Sequence, residues 1–124
     1  MVVDQTVLDD NEVDRLFHAL ADATRRDVLR RVLVEPASVS QLAAGYDMSF
    51  AAVQKHVAVL ERAHLVVKQR RGREQLVSGD VERVRRAAAL LASLESSWRE
   101  RVARMDALVA LDVEEGVVAP RGEN

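Results

Sequence analysis

Residues 66–77, VVKQRRGREQLV, constrain the fold more than any other stretch, because two runs that alternate apolar and polar residues meet at a single glycine. Val66, Val67, Leu76 and Val77 flank a turn built on Gly72, the residue type that accepts positive φ, so the segment is expected to form a β-hairpin. Lys68, Arg70, Arg71 and Arg73 make its tip strongly cationic. The segments on either side repeat at helical spacing instead. The expected fold is mainly α with a small β-hairpin.

Upstream, Val13, Leu16, Phe17 and Leu20 stand at i, i+3, i+4 and i+7, the stripe of a short amphipathic helix. Residues 1–9 before it are read as a flexible tail. Asp22 is placed to cap a second helix that buries Val28, Leu29, Val32 and Leu33 and stops at Pro36. Ser38 and Ser40 offer caps for a short third helix over residues 41–44. Gly45, Tyr46 and Asp47 break it, and Ser49 caps a fourth helix that runs to about residue 63 and buries Val53, Val57 and Leu60. After the hairpin, a long last helix over 80–111 carries Val84, Leu91, Leu94, Trp98, Val102, Met105 and Leu108 close to heptad spacing, a seam that wants a partner helix. Residues 112–124, acidic and containing Gly and Pro, are expected to be disordered. The chain is thus read as one domain over 10–111 between two tails.

Composition narrows the function classes. The 124 residues include no cysteine, which excludes disulfides and thiolate metal sites, and no apolar run approaches membrane-spanning length. The acidic amino terminus lacks the basic segment and apolar core of a signal peptide, so a cytoplasmic protein is expected. The formal net charge of -2 conceals an asymmetry. Between Ser49 and Val77 the cations Lys55, Arg62, Lys68, Arg70, Arg71 and Arg73 face only Glu61 and Glu74. A basic patch on an acidic body attracts a polyanion locally. There is no glycine-rich phosphate loop, no nucleophile with a paired base and no carboxylate pair, so an enzyme is not expected.

A helix-turn-helix followed by a basic hairpin suits DNA: one helix enters the major groove while the hairpin, or wing, reaches the flanking backbone. On this reading Phe50, Ala51, Gln54 and Lys55 of the fourth helix contact base edges, Gln54 by a two-pronged bond to adenine and the apolar pair against thymine methyls. Ser40, Gln41 and Ser49, with Arg70, Arg71 and Arg73 of the wing, meet phosphates, and His56 packs or meets a phosphate.

The segments LFHALADATRRDVLRRVL, SVSQLAAGYDMSFAAVQKHVAVLERAHLV and RRGREQLV, in that order, resemble the ArsR-type (arsenic-repressor-like) winged-helix family of bacterial transcription regulators over residues 13–77. SSWRERVARMDALVAL further resembles a cysteine-free subgroup with a Trp-containing final helix. The resemblance implies a homodimeric repressor that binds an imperfect inverted repeat of double-stranded DNA, often at its own promoter. It also implies a dimer interface made by the first and last helices, here Val13, Leu16, Phe17 and Leu20 with Leu91, Leu94, Trp98 and Met105. Three positions depart from the family pattern: Ala23 stands where proline is common, Gln54 where serine is frequent, and His64 where glycine often ends the recognition helix. His64 is expected at a left-handed helix end.

Many members of the family release DNA on binding a metal through cysteines or through ligands in the last helix. His18, His56 and His64 are the only histidines and none lies in that helix, so no metal ligand and no cofactor is assigned. A site built from His18 and carboxylates across a dimer is the one metal alternative left open, and an unidentified small-molecule effector is the other open partner. Asp22, Arg25 and Arg26 read as a structural ion-pair set, Met48 as core, and Trp98 as dimer core rather than an effector-stacking ring. The competing class is a winged-helix module that docks an acidic protein through its hairpin and reads no DNA.

Overall fold

The computed structural model describes residues 8–114. Helix α1 (Asp10–Leu20) is set by a reciprocal cap: Asp9 accepts the Glu12 N–H at 2.8 Å while the Glu12 carboxylate accepts the Asp9 N–H at 3.0 Å. Asp9 therefore belongs to the folded structure and Leu8 packs on the core, so the order begins earlier than the expected tail boundary. Residues 1–7 lie outside the described ones. Helix α2 (Ala23–Val34) starts at Asp22, which accepts the Arg25 N–H at 3.0 Å, and buries Val28, Leu29 and Val32.

Helix α3 (Val39–Ala44) begins two residues before its expected start, because Ser38 and Gln41 form a second reciprocal cap. Helix α4 (Phe50–Arg62) follows, capped by Ser49 and buried through Val53, Val57 and Leu60, as its spacing requires. Its end is a two-bond C-terminal closure in which the His64 N–H reaches the Glu61 carbonyl and the Leu65 N–H the Leu60 carbonyl. His64 has φ 62°, the left-handed conformation expected of it.

The hairpin is present as β2 (Val66–Arg71) and β3 (Glu74–Gly79), with Arg71 opposite Glu74 across a two-residue turn. Gly72 has φ +63° at the first turn position, where only a residue without Cβ is unstrained. A third strand, β1 (Ala37–Ser38), pairs antiparallel with β3, giving the order β1-β3-β2. Sequence patterning anticipates only the two-stranded hairpin, since two residues after a proline carry no alternation.

Helix α5 (Val81–Glu114) begins after Asp80, whose side chain accepts the Arg83 N–H at 3.1 Å. It passes Leu111 and includes residues 112–114, which corrects the expectation of disorder there. No helix breaker occurs before Gly116. Residues 115–124 lie outside the described ones. The chain divides into two compact units, one ending at Ala88 and one beginning at Ala89. In the first, helices α1 to α4 and the sheet enclose a core that includes Leu16, Val28, Leu42, Val53, Leu60, Leu65 and Val77, each fully buried or nearly so. Leu16 is 0% exposed, so it belongs to the protomer's own core and is not available to a dimer interface; Phe17, at 39%, is. In the second unit Leu91, Leu94, Trp98 and Met105 are exposed and Val102 is half-buried.

Candidate nucleic-acid interface

The buried stripe of α4 leaves Ala51, Gln54 and Lys55 exposed, together with Phe50 at the helix start. Pairing of β1 with β3 sets the wing beside the start of α3, because Ser38, the α3 cap, lies opposite Leu76. As a result Ser40, Phe50, Gln54, Arg70 and Arg73, together with Glu74 and Gln75, line one concavity of about 310 Å³. Two guanidiniums, an amide, a hydroxyl and an aromatic ring thus converge from three separate elements. That set can neutralise phosphates and hydrogen-bond a base edge.

The other expected contact residues lie outside this concavity. Ala51, Lys55 and Arg71 are exposed elsewhere on α4 and the wing. Ser49 uses its oxygen to accept the Ala52 N–H at 3.1 Å and retains the hydroxyl hydrogen for donation. Gln41 lines a second, more open concavity of about 550 Å³ with Arg30 and Arg31; its amide oxygen is held by the Ser38 N–H, which leaves the NH₂ group to donate. Lys68 is paired with Glu61 at 3.2 Å, so the free charge of the wing resides in Arg70, Arg71 and Arg73, which form no ion pair among the described residues.

Of the two roles expected for His56, packing and phosphate contact, its surroundings favour packing. It is half-buried against the start of α2, with Nδ1 3.3 Å from the Arg25 guanidinium and 3.9 Å from the Asp22 carboxylate. Arg25 also donates to the carbonyls of Ala19 at 2.8 Å and His18 at 3.0 Å, and Arg26 to that of Leu20 at 2.8 Å. The two arginines supply donors to carbonyls at the end of α1, where the His18 carbonyl also accepts the Ala21 N–H. Asp22, Arg25 and Arg26 are structural, but not as the expected ion-pair set: Asp22 caps α2 through the Arg25 backbone N–H, and the guanidiniums bind carbonyls instead. The Arg25 backbone N–H holds the Asp22 carboxyl below its usual range.

Arg83 is the functional support that sequence reasoning missed. It is 6% exposed, donates from Nε to the Ala63 carbonyl at the end of α4 at 3.2 Å, and binds the Glu12 carboxylate at 3.1 Å. Glu12 is depressed below the usual carboxylate range, first by the Asp9 N–H and then by Arg83. The available sign was position: Arg83 lies four residues before buried Ala87, on the inward face of α5. Tyr46, in the turn between α3 and α4, is anchored to α2. Its hydroxyl donates to Asp27 at 2.5 Å and the Arg31 guanidinium lies 5.2 Å from its ring centre. Among the described residues no group of three or more His, Asp or Glu side chains is placed to hold a metal, and no helix is long and apolar enough to cross a membrane.

Comparison with known proteins agrees with this architecture. A helix-turn-helix domain family matches residues 20–69. The HTH-type transcriptional regulator Rv2034 of Mycobacterium tuberculosis is 35% identical over 85 residues, covering 68% of this chain and 77% of the relative. The crystal structure of the ArsR family transcriptional regulator RHA00566 superposes with a TM-score of 0.69 at 32% identity, over 75% of this chain and 96% of that one. An ArsR-like transcriptional regulator from Rhodococcus sp. RHA1 gives 0.72 at 28% identity, over 79% and 92%. A capped helix-turn-helix, a three-stranded winged sheet, an exposed recognition face and these relatives lead to one conclusion: the chain belongs to the ArsR family of winged helix-turn-helix proteins and is a DNA-binding transcriptional regulator.

Proposed function

We propose that this regulator is a homodimeric repressor that binds an inverted repeat. Each α4 enters a major groove and each wing rests on the flanking backbone. The convergence of Ser40, Phe50, Gln54, Arg70 and Arg73 on one concavity carries this reading, because it combines base-reading and phosphate-neutralising groups on one face. Gln54 and Lys55 select bases, with Phe50 and Ala51 against thymine methyls. Ser40, Gln41, Ser49 and the three wing arginines position the duplex. Dimerisation uses apolar side chains that the protomer leaves exposed, Phe17 on α1 and Leu91, Leu94, Trp98 and Met105 on α5. Two recognition helices about one DNA turn apart, ~34 Å, require two related half-sites.

The test is fluorescence anisotropy on a labelled duplex of the protein's own upstream region, against a scrambled duplex of equal composition, at several salt concentrations. A preference of ~10³ or more with a steep salt slope is expected. Gln54→Ala should erase the preference, whereas Arg71→Ala should weaken binding to both duplexes and shallow the slope by about one unit. Weak, equal binding to both duplexes and to a genomic selection of fragments would favour the protein-docking module instead.

A further inference from the structure

The first turn of α3 stands between two concavities. Ser40 lines the one that holds Gln54, Arg70 and Arg73, and Gln41, the next residue, lines the other with Arg30, Arg31 and Glu35. Successive residues of a helix point about 100° apart, so the two concavities flank the same turn on adjoining sides. The polar surface that begins at the wing therefore continues across α3 to the last turns of α2.

The two arginines of the second concavity differ in how free their charge is. Arg30 is paired with Asp27 at 3.3 Å, and Glu35 adds a carboxylate to the lining. Arg31 has no carboxylate partner among the described residues. Its guanidinium lies over the Tyr46 ring, 5.2 Å from the ring centre, a contact that fixes the group without neutralising it. It also crosses Gly45, the cap of α3, where a Cβ would stand 2.8 Å from Arg31 Nη1. Gln41 and Gly45 are four residues apart and share one face of α3, so the guanidinium lies on the same side of the helix as the Gln41 amide. That amide has its oxygen occupied by the Ser38 N–H and its NH₂ group free to donate. One charged donor and one neutral donor thus share a concavity, each held by contacts within the protomer.

We propose that Arg31 and Gln41 together hold a phosphate of the bound duplex, and that Arg31 is a backbone contact additional to those of the wing and α4. This deepens the mode of DNA binding proposed above and rests on it. The occupant is the duplex because the concavity adjoins the recognition face through consecutive residues of α3 and offers the donors that phosphate oxygens accept. Each DNA strand carries a charge every ~3.4 Å of helix axis, so a backbone that passes Ser40 brings further phosphates along the same surface. The concavity is also built on the connection between the first two helices of a three-helix unit, the segment that meets the backbone in homeodomains.

Anisotropy titrations of the full chain on the native and scrambled duplexes test this contact apart from the others. Arg31→Ala should weaken binding to both by about tenfold near 0.1 M salt and shallow the salt slope by about one unit. The ratio between the two duplexes should stay as it is, because a phosphate contact carries no sequence information. Arg85→Ala removes the same formal charge from an exposed site on α5 and should leave the slope unchanged. Gly45→Ala keeps Arg31 but displaces its guanidinium, the movable end of a long side chain, and should weaken binding several-fold without lowering the melting temperature. Ethylation of duplex phosphates gives an independent reading: at least one phosphate whose ethylation weakens the wild type should make no difference to Arg31→Ala. An identical ethylation pattern for the two proteins would overturn the contact. If Arg31→Ala binds as the wild type does while Arg71→Ala loses affinity and slope, the contact at Arg31 is overturned and the wing reading stands. If the wild type itself binds neither duplex with salt-dependent affinity, the proposed mode of DNA binding falls and this contact falls with it.

Discussion

The two units of this chain use apolar residues to opposite ends. In the winged-helix unit, the buried apolar side chains of the described residues lie between Leu16 and Ala87, drawn from four helices, the sheet, the connection after α4 and the first turns of α5. In the outer part of α5, residues 91–112, only Val102 is even partly buried, although leucine, valine, methionine and tryptophan recur throughout. The first unit encloses most of its hydrophobic pattern; the second leaves its pattern exposed. Exposure of Leu60 and Leu91 expresses the difference, 0% against 53% for the same residue type.

The largest effect that sharpens this contrast is at Leu60. Leu60→Ala removes a fully buried side chain from the face of α4 that holds the recognition helix in place, and should cost ~2–5 kcal/mol by urea denaturation. A loss below ~1 kcal/mol would mean that the unit relaxes around the cavity and is less tightly packed than the burial indicates. Next in size is Gly79→Ala. A Cβ there would stand 2.5 Å from Leu33 Cδ2 and 3.1 Å from the Leu33 backbone, so β3 or α2 must shift at a cost of ~1–3 kcal/mol.

Polar supports come next, and they too belong to the first unit. Asp22→Ala removes the α2 cap and should cost ~1 kcal/mol. Asp22 and Glu12 both have carboxyl groups held below their ordinary range by backbone donors. A depressed folded-state value means that the unfolded chain takes up the proton first as pH falls. Their contribution is therefore complete above the ordinary carboxylate range, ~4, and is lost as pH drops through the lower folded values. The melting temperature should fall with acid in that window, and Asp22→Asn should show a smaller acid-dependent fall. An identical acid profile for that variant would assign the loss to other groups.

Much of this architecture was legible because it obeys local rules. The spacing of Val53, Val57 and Leu60 defined α4, Gly72 defined the wing, and Asp22 and Ser49 announced helix starts through side chains that accept N–H groups a few residues on. What escaped depends on long-range partners. β1 has two residues and exists because β3 lies beside it, and that pairing helps gather Ser40, Phe50, Gln54, Arg70 and Arg73 around one concavity. Arg83 reads as an exposed helix cation until the Ala63 carbonyl and Glu12 are seen to receive it. His56 sits in the recognition helix, yet its partners Arg25 and Asp22 come from α2 and its cap, 31 residues away in the case of Arg25.

The smallest expected effect tests the contrast most directly. Leu91→Ala removes the same atoms as Leu60→Ala, but from a side chain already 53% exposed on a helix in which alanine is the better former. At concentrations low enough to hold the protein as a monomer, its stability should change by no more than ~0.5 kcal/mol. At higher concentration the same variant should show weaker dimerisation by sedimentation, because the lost surface belongs to the pair and not to the protomer. If the monomer instead lost as much as it does at Leu60, Leu91 would be part of the protomer's own core. The outer part of α5 would then be a continuation of the first unit and not a surface kept for a second copy.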